Sequence, residues 1–347
     1  MKPSLIITSC CLLGIIALSS CSTVGYYTQS IIGHSKLMMA RQPIDEIIEK
    51  ADEPLRSRLE NAVNIRRFAS RELGLPDNKS YTSYVQLKND PPIWNVVATK
   101  QFTLEAKQWC YPIIGCASYR GYYHKAAAKK YAEQLTAKGY DVALIEVTAY
   151  STLGWFADPL TSAMLKRDDA SLADLIFHEL AHQQLYAEGD SRFNEAFASA
   201  TGELGTLHWL EMTQQRALLK KYQRRLEVRE DFLQMINETK KELVTLYRHT
   251  RADEEKQLEK MRIFNRLREK NRQLQQTKWN GERWYDGWFR QPINNAHLVA
   301  IGTYRDLVPN FLTLFERCQR NFEKFYRRAE DIAKQEQKNF AVKCHTQ

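Results

Sequence analysis

Leu175-Ile176-Phe177-His178-Glu179-Leu180-Ala181-His182-Gln183-Gln184 is an apolar stretch carrying two histidines four residues apart and one carboxylate. On a helix, positions i and i+4 lie on one face, one turn apart. His178 and His182 therefore point the same way, which is what a zinc ion needs from two nitrogen ligands. Glu179 follows the first histidine and can reach a water at the metal as general base. The flanks are otherwise uncharged from Leu175 to Gln184.

Zinc needs a third protein ligand and one open position to do chemistry. A metzincin would carry Gly at 185 and His at 188; Leu185 and Glu188 stand there instead, so that class is excluded. The next arrangement takes a glutamate from a following helix. Asn194-Glu195-Ala196-Phe197-Ala198 comes after a Gly189-Asp190-Ser191 turn that lets a second helix fold back on the first. Glu195 is the leading third ligand, with Glu188 and Glu203 as alternatives. The competing reading of Glu195 is a carboxylate favoured near a helix N-terminus by the macrodipole.

Residues 1–20 read as a targeting segment. Lys2 gives a short positive start, and the apolar run Leu5 to Leu18 is short for a membrane span. Leu18-Ser19-Ser20-Cys21 resembles the bacterial lipobox, in which the chain is cut before a cysteine that takes the lipid. An ordinary secretory signal or a signal anchor is the alternative. Ser22, in place of Asp, directs the expectation to the outer membrane, facing the periplasm. Of seven cysteines, Cys10 and Cys11 leave with the signal and Cys21 is lipidated. In an oxidising compartment Cys110 and Cys116 can form a disulfide around Tyr111-Pro112-Ile113-Ile114-Gly115, the alternative being two free thiols. Net charge is +9, but basic residues are interleaved with acids and densest in the helical stretch from Gln214 to Lys278. This is a solvated helical face, and nucleic-acid binding is not expected.

The remaining chain, 21–347, is long enough for one large α+β domain, mostly helical, with a small mixed sheet. Residues 30–73 read helical up to the Gly74-Leu75-Pro76 stop. A strand-rich part spans 83–160, with strands at Trp94 to Ala98, Phe102 to Leu104 and Asp141 to Tyr150, and a helix from Lys125 to Lys138. The zinc-binding helices occupy 169–211, the first capped by Asp169 or Ser171. Residues 214–278 hold neither proline nor glycine and read as a long charged helical hairpin, bending near His249 to Asp253. Trp279 to Asn295 reads as loop, Ala296 to Thr303 as strand or helix, and 307–338 as one closing helix.

His178-Glu179-Leu180-Ala181-His182-Gln183, Phe193-Asn194-Glu195-Ala196-Phe197-Ala198 and Ala149-Tyr150-Ser151-Thr152-Leu153-Gly154-Trp155-Phe156-Ala157-Asp158-Pro159-Leu160 together resemble the bacterial "putative aminopeptidase" family. Tyr119-Arg120-Gly121-Tyr122-Tyr123 and Asn294-Asn295-Ala296 add to the likeness, which covers most of the chain after the signal. The wider resemblance is to thermolysin-like gluzincins. It implies a zincin-like fold, one Zn2+, a peptide substrate and hydrolysis by a zinc-held water that Glu179 activates. It also implies an edge strand for the substrate backbone, here Asp141 to Tyr150. Gluzincins often carry an acid four residues after the ligand glutamate to orient a histidine; here Ser199 stands there. Tyr150 and Tyr304 are the candidate oxyanion donors, and Asp158 and Glu203 the carboxylates available for a substrate amine. Two other readings stay open: a zinc hydrolase of non-peptide or cell-wall amides, and a non-catalytic envelope lipoprotein with structural zinc. Oligomeric state is not legible.

Overall fold

The computed structural model describes residue 26 and residues 28–88, 93–111, 115–147, 157–249, 252–302, 306–341 and 344. Cys21, Tyr150 and Tyr304, together with the signal segment, lie outside them. The chain is mostly helical with small sheets, an α+β arrangement.

The helical start is three helices: α1 (28–39), α2 (Ile44–Ile48) and α3 (Leu55–Arg71). Pro43 and Pro54 stand at the N-cap positions of α2 and α3. Beyond them lies a small mixed sheet of β1 (Gln42–Pro43), β2 (Ser83–Val85) and β8 (Leu160–Thr161), with β2 central. Antiparallel β6 (Arg120–Tyr122), β3 (Ile93–Lys100) and β7 (Tyr140–Val147) form the main sheet in that order. It packs on α4 (Lys125–Thr136) through Trp94, Val96, Ala98 and Leu135, and on α11 (Asn295–Gly302) through Val97, Ala143, Ala296 and Val299. Both outer strands meet carboxamide side chains. Gln29 of α1 donates to Gly121 O at 3.4 Å and accepts from Tyr123 N at 3.2 Å beside β6. Asn294 donates to Val142 O of β7 at 3.0 Å. A separate hairpin, β4 (Trp109–Tyr111) and β5 (Gly115–Ala117), pairs Cys110 with Cys116, and the two are disulfide-bonded.

The expected strand at Phe102 to Leu104 is a turn. Asn295 Nδ2 donates to Gln101 O at 3.1 Å and to Thr103 O at 2.9 Å, so these carbonyls are satisfied without a ladder. The main core is helical: α6 (Asp169–Gln184) and α7 (Ser191–Met212) sit among α3, the short α5 (Ser162–Leu165), α12 (Val308–Arg317) and α13 (Phe322–Ala333). The closing segment is thus two helices where one was expected. Gln319 and Arg320 take φ of 58° and 56°, turning the chain so that Phe311, Phe315, Phe322 and Phe325 all reach that core. Cys318, the last residue before this turn, is disulfide-bonded to Cys344, a pairing the sequence reading did not make.

The charged segment forms α8 (Arg216–Arg248) and α9 (Asp253–Thr277), packed through Phe232, Ile236, Leu243, Ile263, Phe264 and Leu267. The expected loop after it contains a short helix, α10 (Asp286–Arg290). Among the described residues no helix is long and apolar enough to cross a membrane.

Candidate metal centre

Helix α6 starts where Asp168 accepts a bond from Ser171 N at 2.9 Å, so the cap is Asp168 and neither Asp169 nor Ser171 as expected from sequence. Its carboxylate is also paired with Arg225 and lies 3.7 Å from Lys221 Nζ, both on α8. Leu172, Ala173, Ile176, Phe177, Leu180 and Ala181 bury one face of α6, and the histidines line the next. The connection to α7 is tight. Gly189 takes φ of +76°, which costs a glycine little, and Asp190 caps α7 by accepting from Phe193 N at 3.0 Å.

Asn194 then clamps the connection from inside. Its Oδ1 accepts from Ala187 N at 2.7 Å and its Nδ2 donates to Ala187 O at 2.8 Å. The clamp holds the turn to the start of α7, directly before Glu195. Sequence reasoning treated Asn194 only as part of a motif; a carboxamide buried at a helix start, able to satisfy one N–H and one C=O, was the available signal. Further along α7, Gly202 allows close approach to α6. A Cβ there would fall 2.6 Å from Asp174 Oδ1, 2.8 Å from Asp174 O and 3.3 Å from His178 Cβ.

These constraints bring three donors together. The Nε2 atoms of His178 and His182 are 3.2 Å apart. His178 Nε2 is 3.6 Å from Glu195 Oε2, and His182 Nε2 is 3.6 Å from Glu195 Oε1. A tetrahedral zinc with ligand bonds near 2.0–2.1 Å separates its ligand atoms by about 3.3 Å. The observed spacings bracket that value, so the donor set fits such an ion. Among the described residues, this is the group of His, Cys, Asp and Glu side chains able to hold a metal, its ligand atoms all within 4.8 Å of one another. Glu188 is exposed on the α6–α7 connection, and Glu203 is buried and paired with Arg229 of α8.

The three donors perturb one another's protonation. Burial, with the neighbouring His178 charge, pushes His182 down to about 4 against the pull of Glu195, leaving the neutral imidazole that ligates metals. His178 is raised: burial lowers it, but Glu195, Glu179 and Asp174 together outweigh that. Glu195 is lowered, because both histidines outweigh its burial. Glu179 is half-buried on α6 beside His178. Arg167, before the helix, is depressed by burial while Asp174, Asp168 and Glu179 push it back up, so a guanidinium lies within electrostatic reach of Glu179. The sequence reading had not singled it out.

Asp158, weighed for a substrate amine, is fully buried at 0% exposure, and its carbonyl accepts from Tyr81 N at 2.7 Å. At the start of β7 the Asp141 carboxylate is held by Lys260 Nζ and Asn295 N, and the backbone Val142 O by Asn294.

No curated protein and no solved structure matches the chain. A family model does match, over residues 25–341, spanning α6 and α7, the sheet and the hairpin alike, and the chain belongs to the family described as "putative aminopeptidase".

Proposed function

We propose that the chain is a zinc-dependent peptidase of zincin-like build, acting as an aminopeptidase. The convergence of His178, His182 and Glu195 beside Glu179 carries this reading. His178 and His182 would hold the ion through Nε2, and Glu195 through its carboxylate. Bound there, zinc supplies Lewis-acid chemistry, polarising a scissile carbonyl and making water acidic enough to lose a proton near neutrality. Glu179 takes the proton of the attacking water on a carboxylate oxygen and passes it to the leaving amine. Asn194 and the α6–α7 turn keep Glu195 aimed at the histidines, so the ligand cage is set before any ion arrives. Tyr150 or Tyr304 would serve the oxyanion. The lipobox-like Leu18-Ser19-Ser20-Cys21 supports export and lipid anchoring at Cys21, in the outer membrane facing the periplasm.

Metal analysis and a panel of amino-acid amides and short peptides test the reading together. Wild type should hold one zinc and cleave; Glu195→Ala should lose most of the metal. Glu179→Gln should keep fold and zinc yet lose roughly a hundred- to ten-thousand-fold in rate, the usual cost of a missing general base. A Glu179→Gln variant as fast as wild type would sink the mechanism. Cleavage that N-terminal acetylation does not block would replace the aminopeptidase reading with an endopeptidase.

A further inference from the structure

Helix α1 has two unlike faces. Gln29 bonds to Gly121 and Tyr123 beside β6, and Gly33 lies so close to Tyr123 that a Cβ there would fall 2.3 Å from its Cγ. Leu37 is buried at 7% exposure. Spaced four apart, these three positions mark the inward face. On the other side Ile31, Ile32 and Met39 are 64%, 47% and 77% exposed, and Lys36, also exposed, borders them one turn beyond Ile32. Among the described residues seven large apolar side chains are at least 47% exposed, and three of them fall on this one helix. Such a cluster is a surface with a use, where scattered single residues would not be.

The chain just before α1 is pinned. The ring of Tyr26 stacks on Tyr111 at 5.6 Å and meets Tyr122 edge-on at 5.7 Å, with the Arg120 guanidinium 4.1 Å from its centroid. Cys21 stands five residues earlier. Five residues span at most about 17 Å fully extended. A lipid on Cys21 would therefore hold α1 against the headgroup layer, whatever the rest of the molecule does.

We propose that the outward face of α1 lies on the phospholipid surface that anchors Cys21. Ile31, Ile32 and Met39 enter the interface and Lys36 meets lipid phosphates. This rests on Cys21 carrying the anchor; the peptidase reading is independent of it. The composition suits that occupant, since apolar side chains with a nearby cation on a short helix face favour the boundary between headgroups and acyl chains. The tether removes most of the entropic cost of this second contact by keeping the face at high effective concentration. The lipid thus fixes where the molecule sits, and α1 fixes which way up.

Photocrosslinking of the full chain, made with its own signal in bacterial membranes, tests this. p-Benzoyl-phenylalanine replaces Ile31, Ile32 or Met39 in turn. Met261 of α9, 51% exposed, is the control. Mass spectrometry should find phospholipid adducts several-fold more abundant at the three α1 positions than at Met261. Equal yields at Met261, or no lipid adducts on a chain whose intact mass shows Cys21 lipidated, would overturn the proposal. So would crosslinks to a second copy or to another protein, which would assign the face to that partner. A mature chain without lipid at Cys21 would remove the anchor and this orientation with it, leaving the metal centre untouched.

Discussion

Gly202 shows how little freedom a residue at this centre has. It is seven residues beyond Glu195, yet its missing side chain sets how near α7 lies to the backbone that carries His178. Gly202→Ala would drive a methyl against Asp174, whose carboxylate can swing aside but whose backbone carbonyl, 2.8 Å from the added carbon, does not move cheaply. We expect a loss of about 1–3 kcal/mol in stability, the range for overpacking, and faster loss of zinc to a chelator. Chemical denaturation and timed metal removal measure both; an unchanged variant would mean that α6 and α7 can part without harming the centre. That the two histidines share one face was legible from sequence because their spacing is a local property of one helix. Glu195 was legible through the turn before it. Asn194, Gly202 and Arg167 were not, because what each does is visible only once two elements lie against each other.

Asp168 matters at the scale of the element it starts. It caps α6 and binds Arg225, and although burial opposes this, the Arg225 and Ser171 bonds bring its carboxyl down to about 2. A depressed carboxyl stabilises the fold above its unfolded value, near 4, and the benefit fades as pH falls through 2. Asp168→Ala should therefore cost about 1–2 kcal/mol near neutral pH, counting the cap and a solvent-screened ion pair. The gap from wild type should narrow as denaturation is repeated toward pH 2, and a gap that stays constant with pH would count against an ionic contribution. Elements were readable where periodicity and breakers agree, as for α7, α8 and α9. The break between α12 and α13 was hidden because Gln319 and Arg320 are not residues that announce a positive φ. The turn at Phe102 looked like a strand because its β-prone residues satisfy their carbonyls with a distant asparagine.

At the scale of the whole molecule, α8 and α9 act as a brace between the helical core and the sheet. Arg225 and Arg229 tie α8 to Asp168 of α6 and Glu203 of α7, while Lys260 ties α9 to Asp141 of β7 and to Gln101 O. Lys260 is 4% exposed, and burial pulls its ammonium below the usual lysine range although Asp141 opposes this. Removing one member of such a pair strands the other. Lys260→Met should destabilise by about 3–5 kcal/mol. Adding Asp141→Asn removes the stranded charge while keeping an acceptor for Asn295 N, so most of the loss should return. Thermal unfolding of the two variants decides this; equal losses would show that packing, not charge, dominates. None of these pairings could be read from the chain, since they join residues more than a hundred apart, or helices whose charged faces look merely solvated.

The two carboxamides on the rims of the main sheet carry a consequence for how copies of the chain behave beside one another. A strand with unsatisfied carbonyls is a template on which another chain can polymerise. Here Gly121 O is already claimed by Gln29 and Val142 O by Asn294. At those two positions an incoming strand would meet a side chain where it needs bare backbone.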